Sequence, residues 1–142
     1  MRIREVLRSK GNVVLTIGPE ATVNDLLASL ARNNVGALIV SADGHTVAGI
    51  VSERDVVRQL QERGIGVLAG PVSAIMTSTV TTCSEQDSVE DLMRVMTDHR
   101  IRHVPVLRDG GLVGVISIGD VVKNRIGELE HERSSLIGYI AG

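Results

Sequence analysis

The sequence predicts an α+β fold with α/β character: two tandem β-α-β-β-α units packed as a pseudo-two-fold pair, followed by a C-terminal helical extension. Three observations predict it. The chain matches itself at an offset of about 66 residues, "VLTIGPEATVNDLLASLARNNVGALIVSADG" falling on "VTTCSEQDSVEDLMRVMTDHRIRHVPVLRDG". Within each copy, helical spacing of apolar residues alternates with short β-rich runs. A Gly-rich stretch, Glu62–Gly70, separates the copies.

Each element has its own warrant. The runs Val13–Ile17 and Val80–Cys83 open the two copies as strands. A Thr22 or Ser88 cap then starts a helix, with Val23, Leu26, Leu27 and Leu30 on one face in the first copy. Strands Ala37–Ser41 and Val47–Val51 follow, and in the second copy His103–Arg108 and Leu112–Ile116. Their turns, Asp43-Gly44 and Asp109-Gly110, favour hairpins. The last helix of each copy starts at Ser52 or Ser117. Val47–Val51 is almost continuously apolar, as in a strand covered on both faces. The expected boundaries are 1–64 for the first repeat with an N-terminal helix, 65–75 for the connector, 76–127 for the second repeat and 128–142 for the tail.

At 142 residues with 43% hydrophobic and 23% charged residues, the chain suits a folded unit burying about two-thirds of its surface. No apolar run approaches the roughly 20 residues of a membrane span. The amino terminus lacks a signal-peptide pattern, and Cys83 is the single cysteine, which suits a reducing, cytoplasmic setting and excludes a cysteine-type zinc site. A net charge of −2 argues against a dedicated nucleic-acid binder. Tyr139 is the only aromatic residue, so a planar ligand would be gripped by aliphatic side chains.

The paired units, the junction motif G-h-h-S-x-x-D in "GIVSERD" and "GVISIGD", and "HVPV" in the second copy resemble a tandem cystathionine β-synthase (CBS) domain pair. The resemblance spans about residues 1–127, and the tail is similar to the ending of small stand-alone bacterial CBS-pair proteins. It implies an adenosine ligand in the inter-repeat cleft (AMP, ADP, ATP, NAD or NADH, or S-adenosylmethionine). It also implies a homodimer and a regulatory, energy-sensing role exerted on a separate, unidentified protein.

Ser52 and Asp55 read first as a capping box, the Ser hydroxyl taking a backbone N–H and the acid reaching back. A helix N-terminus is also an anion site, and a carboxylate there suits a ribose diol, so cap and ligand holder are compatible roles. Carried over from the family, a first pocket would have Asp55 on ribose, with Ile50, Ser52, Val80 and Thr81 framing adenine and Arg102 and His103 facing phosphates. A second would have Asp120 on ribose, with Val14, Leu15, Val115 and Ser117 around adenine and Arg54 as its cation. The copies differ here: Gly36 and Ala37 match Arg102 and His103, and Gly119 matches Arg54. The first pocket is therefore expected to prefer more phosphate charge and to weaken as His103 loses its proton.

No catalytic function and no catalytic cofactor are expected. His45, His99, His103 and His131 are scattered, without a metalloprotease helix, nucleophile elbow or P-loop. The alternative role is a structural interaction dimer without nucleotide sensing, using the tail stripe Ile126, Leu129, Leu136, Ile137 and Ile140.

Overall fold

The computed structural model describes residues 1–11 and 14–141. Two sheets organise it, one per repeat. In the first, β1 (Thr16–Ile17) runs parallel to β2 (Ala37–Val40), which pairs antiparallel with β3 (Gly49–Ser52). In the second, β4 (Cys83–Ser84) runs parallel to β5 (His103–Arg108), which pairs antiparallel with β6 (Gly111–Ser117). Helices α1 (Ile3–Lys10), α2 (Val23–Asn33), α3 (Glu53–Arg63), α4 (Val89–His99) and α5 (Ile118–Ala141) complete the chain. No helix among the described residues is long and apolar enough to cross a membrane.

The caps read from the sequence are present: Asp25 N–H donates to Thr22 Oγ1 at 3.0 Å and Asp91 N–H to Ser88 Oγ at 3.1 Å. The opening strands are shorter than expected, two residues each. Val13 lies outside the described residues, and 80–82 leave the ladder. Just before them, Thr77 joins the edge of β3 through a reciprocal pair of backbone bonds with Ile50 at 2.9 and 3.0 Å. The two hairpins also differ. Asp109 and Gly110 both take positive φ, as a tight two-residue turn requires. In the first repeat Asp43 instead captures the N–H groups of His45 and Thr46 with its carboxylate, at 2.8 and 2.7 Å. That capture lengthens the loop, so β3 starts at Gly49 rather than Val47, and those two backbone bonds pull the Asp43 pKa far below the usual range.

Each repeat has its own core, and each is completed by a segment expected elsewhere. Val72 and Ile75, in or beside the expected connector's short 3-10 turns (Ile65–Ala69, Val72–Ala74), join Leu26, Leu38 and Val51 in the first core. Helix α1, expected with the first repeat, is corrected: Ile3 and Val6 are 0% and 1% exposed and pack with Leu92, Val104 and Ile116 in the second core. The two exchanges mirror each other. Ile3 N–H donates to Asp87 O at 3.0 Å, and Val72 N–H donates to Ala21 O at 2.8 Å. A glycine lets each segment approach its sheet. A methyl on Gly49 would lie 2.7 Å from Met76 Sδ and 2.8 Å from Thr77 O, and one on Gly114 would strike the Leu7 side chain.

The repeats meet at their hairpins as well. Leu112 N–H donates to His45 O at 2.8 Å, and the His45 ring lies against Gly111 where a Cβ would have no room. Cys83 packs beside the second core, where burial first and the Asp87 charge second push its thiol up to about 12. It is therefore inert filler at neutral pH. Helix α5 is continuous, so the expected boundary at 127–128 is not a break: its 24 residues extend about 36 Å.

Candidate functional site

The register of each hairpin fixes what faces the cleft. In β2–β3 the last pair is Ala37 with Ser52, and in β5–β6 the equivalent pair is His103 with Ser117. Beyond each Ser the chain turns into a helix whose N-terminus points into the space between the repeats. Ser52 N–H and Oγ–H donate to Asp55 Oδ2 at 2.8 and 3.0 Å, and Asp55 N–H returns a 3.3 Å bond to Ser52 Oγ. The second junction repeats this: Ser117 N–H and Oγ–H reach Asp120 Oδ2, both at 2.9 Å, and Asp120 N–H reaches Ser117 Oγ at 3.1 Å.

In both carboxylates the cap uses Oδ2, and Oδ1 has no hydrogen-bond partner among the described residues. One acceptor oxygen per junction is thus left to the cavity. Capping alone does not create such a site. Asp25 makes the same box with Thr22 on α2, yet it borders neither of the inter-repeat cavities.

Two cavities open between the repeats, of about 410 and about 360 Å³. Around the larger lie Asp55, Ser52, Ile50, Val80, Thr81, Arg102 and His103, all seven residues expected of the first pocket. Around the smaller lie Asp120, Ser117, Val115, Val14 and Leu15, five of the six expected of the second. Arg54 is the exception and is corrected. It precedes Asp55 on the first turn of α3 and borders the Asp55 cavity, because a residue beside the first carboxylate shares its side of the cleft.

The cation at Asp120 is Lys10, from the last turn of α1. Its Nζ donates to Asp120 Oδ2 at 2.7 Å and to Val115 O at 2.6 Å. Burial raises the Asp120 pKa, but the Lys10 ammonium and the two Ser117 donors outweigh it and hold the carboxyl below its usual range. No motif marks Lys10; a contact across 110 positions became visible only when α1 was seen on the second repeat.

The sequence also did not single out Arg58 and Arg100, which border the Asp55 cavity with Arg54 and Arg102. Against Glu53 and Asp55, four arginines leave a surplus of two positive charges there. His103 borders both cavities. Burial lowers its pKa most, Lys10 and Arg102 lower it further, and Asp120 opposes them. The His103 pKa therefore lies below the usual imidazole range, which moves its loss of a proton to lower pH than an exposed histidine's.

The CBS domain family model matches residues 3–62 and 72–127. The chain belongs to the CBS domain family. CBS domain-containing protein CBSX3, mitochondrial, of Arabidopsis thaliana is 38% identical over 148 residues, covering 99% of this chain and 72% of the relative. The crystal structure of the CBS-domain containing protein ATU1752 from Agrobacterium tumefaciens superposes with a TM-score of 0.84 at 40% identity, covering 88% of this chain and 99% of that one. The CBS domain pair of protein MJ0100, solved in complex with 5′-methylthioadenosine and S-adenosyl-L-methionine, shares the fold with a TM-score of 0.78 at 21% identity, covering 90% of this chain and 98% of that one. The tandem CBS pair is thus the architecture of this molecule, with α5 running on as its C-terminal extension.

Proposed function

We propose that this CBS pair is a non-catalytic regulatory module that binds an adenosine nucleotide (AMP, ADP, ATP or NAD) between its repeats and controls a separate protein. The observation that carries the reading is the pair of capping carboxylates, Asp55 and Asp120, each with one oxygen free at an inter-repeat cavity. A carboxylate accepting from both ribose hydroxyls forms charge-assisted hydrogen bonds of about 1.5–3 kcal/mol each. The flanking aliphatic residues Ile50 and Val80 suit a flat base, and the arginines suit phosphate. MJ0100, bound to two adenosine compounds, supports the ligand class.

An AMP-sized ligand at about 0.3 kcal/mol for each of about 23 heavy atoms gives about 7 kcal/mol, a Kd near 10 μM. At 100 times its Kd, such a ligand stabilises the fold by about 2.7 kcal/mol. A thermal-shift panel of AMP, ADP, ATP, NAD and S-adenosylmethionine is therefore expected to raise Tm by about 8 °C for the preferred nucleotide. A flat response to the whole panel would rule the reading out.

The charge on the ligand sets its pH dependence. A phosphate near His103 favours the imidazolium, so binding takes up a proton and tightens as pH falls from 7.5 to 5.5. Without ligand the sign reverses. The folded His103 binds fewer protons than the unfolded chain below about 6.5, so its contribution to stability is lost as pH falls through that window. Titrations across this range, with His103→Gln as control, should show the slope in the wild type and its loss in the variant.

A second reading, an interaction dimer, is favoured by α5. Val122, Ile126, Leu129, Leu136 and Ile140 repeat at alternating three- and four-residue spacing, broken only by Arg133, and are 47–76% exposed. That is the spacing of a coiled-coil seam, left open by the described residues of its own chain. The two readings are compatible: a homodimer through α5 would give the nucleotide-dependent packing of the repeats a second copy to act on.

A further inference from the structure

We infer that Lys10 is a built-in competitor for the Asp120 site: its ammonium holds acceptors that a nucleoside would use, and adenosine binds there by displacing it. This rests on the adenosine reading above and adds the regulation of one of its two sites. Lys10 Nζ donates to two acceptors on residues lining the smaller cavity, Asp120 Oδ2 at 2.7 Å and Val115 O at 2.6 Å. An ammonium carries donors and no acceptor, so it covers these groups and offers a ligand's hydroxyls nothing in exchange. With Ser117 N–H and Oγ–H, both at 2.9 Å, Asp120 Oδ2 receives three donors. Asp55 Oδ2 receives two, both from Ser52. The charge differs as well: Lys10 pairs with Asp120, whereas no cation pairs with Asp55 among the described residues.

The strand carbonyl shows the same asymmetry. Val115 corresponds to Ile50 in the repeat match. Ile50 O accepts from Thr77 N–H at 2.9 Å, half of the reciprocal backbone pair that closes the edge of β3. At the equivalent carbonyl of β6 the donor is instead the Lys10 side chain, from the last turn of α1. A backbone pair opens only with the segment that carries it; a lysine lets go by turning about its own side-chain bonds. Helix α1 does not depend on the bridge, because Ile3 and Val6 are buried in the second core and Ile3 N–H holds Asp87 O at 3.0 Å. The Lys10 and Asp120 side chains are 37% and 22% exposed. Water reaches such a pair and weakens it, so a ligand can take its place.

Isothermal titration uses adenosine, which has no phosphate for a released ammonium to meet, on the full chain carrying Asp55→Asn, so that the Asp120 site is read alone. Adding Lys10→Met, which keeps an apolar stem and removes the donors, is expected to tighten binding about fivefold, with melting of the free variants confirming their fold. In the Asp55→Asn chain with Lys10 intact, acetylation of Lys10 by acetic anhydride, followed by mass spectrometry, should speed up about threefold when adenosine saturates the site, as a 37% exposed side chain becomes open. Equal or weaker binding in Lys10→Met, or acetylation of Lys10 that adenosine leaves unchanged or slows, would overturn the inference and leave the adenosine reading standing. Binding of adenosine to neither chain would overturn both.

Discussion

Asp55→Asn is expected to weaken adenosine-nucleotide binding about 100-fold while leaving the free protein's melting temperature within about 2 °C of the wild type. The division of labour at the junction sets both halves of this result. Oδ2 holds Ser52 N–H and Oγ–H, and the Asn amide oxygen can still accept the backbone bond, so the start of α3 survives. The other position becomes an amide nitrogen, a donor facing the ribose hydroxyls with no charge. Losing two charge-assisted bonds removes about 3 kcal/mol of binding, which is about 100-fold in Kd. Asp55→Ala removes the cap as well and should lower the free melting temperature by a further few degrees. Titration calorimetry and melting curves on the same samples separate the two effects. Undiminished affinity in Asp55→Asn would move the ribose elsewhere.

Ile3→Ala should cost about 3 kcal/mol and lower Tm by about 10 °C, although α1 has only eight residues. Ile3 is 0% exposed and belongs to the core that holds Leu92 and Ile116, so truncation leaves a cavity. The damage should be local to the second repeat. Amide hydrogen exchange is expected to speed up in β5 and β6 and to stay slow in β2 and β3. Faster exchange confined to the first sheet would return α1 to the repeat it precedes in sequence.

How much of this was legible depends on whether the deciding contact is local. Caps at Thr22, Ser52, Ser88 and Ser117 and the strand His103–Arg108 were readable because a few adjacent residues determine them. The carboxylate at each junction was readable because the motif occurs twice. The lobe that receives α1 was not, because helical spacing shows that Ile3, Val6 and Leu7 need a partner without saying which one. A clue was present: Val72, Ile75 and Met76 repeat that spacing, and the structure uses both triplets in the same way. Reading Glu62–Gly70 as a loose connector followed from its glycines, yet the chain next to it holds two core residues. The location of Arg54 was missed because the repeat match gives correspondence between copies, not the side of the cleft each copy serves. Lys10 depended on α1 and was missed with it.

The exchange of segments has a consequence for biosynthesis. The first repeat is assembled from one uninterrupted stretch, roughly residues 14–76, and can close as soon as Val72 and Ile75 leave the ribosome. The second needs Ile3 and Val6 together with Ile116 and Val121, more than a hundred positions downstream. At about 5–20 residues per second, the amphipathic helix waits on the order of ten seconds for its berth, its greasy side uncovered. From the moment this segment is made until Ile116 and Val121 follow it, its apolar face lacks the core that covers it in the folded protein.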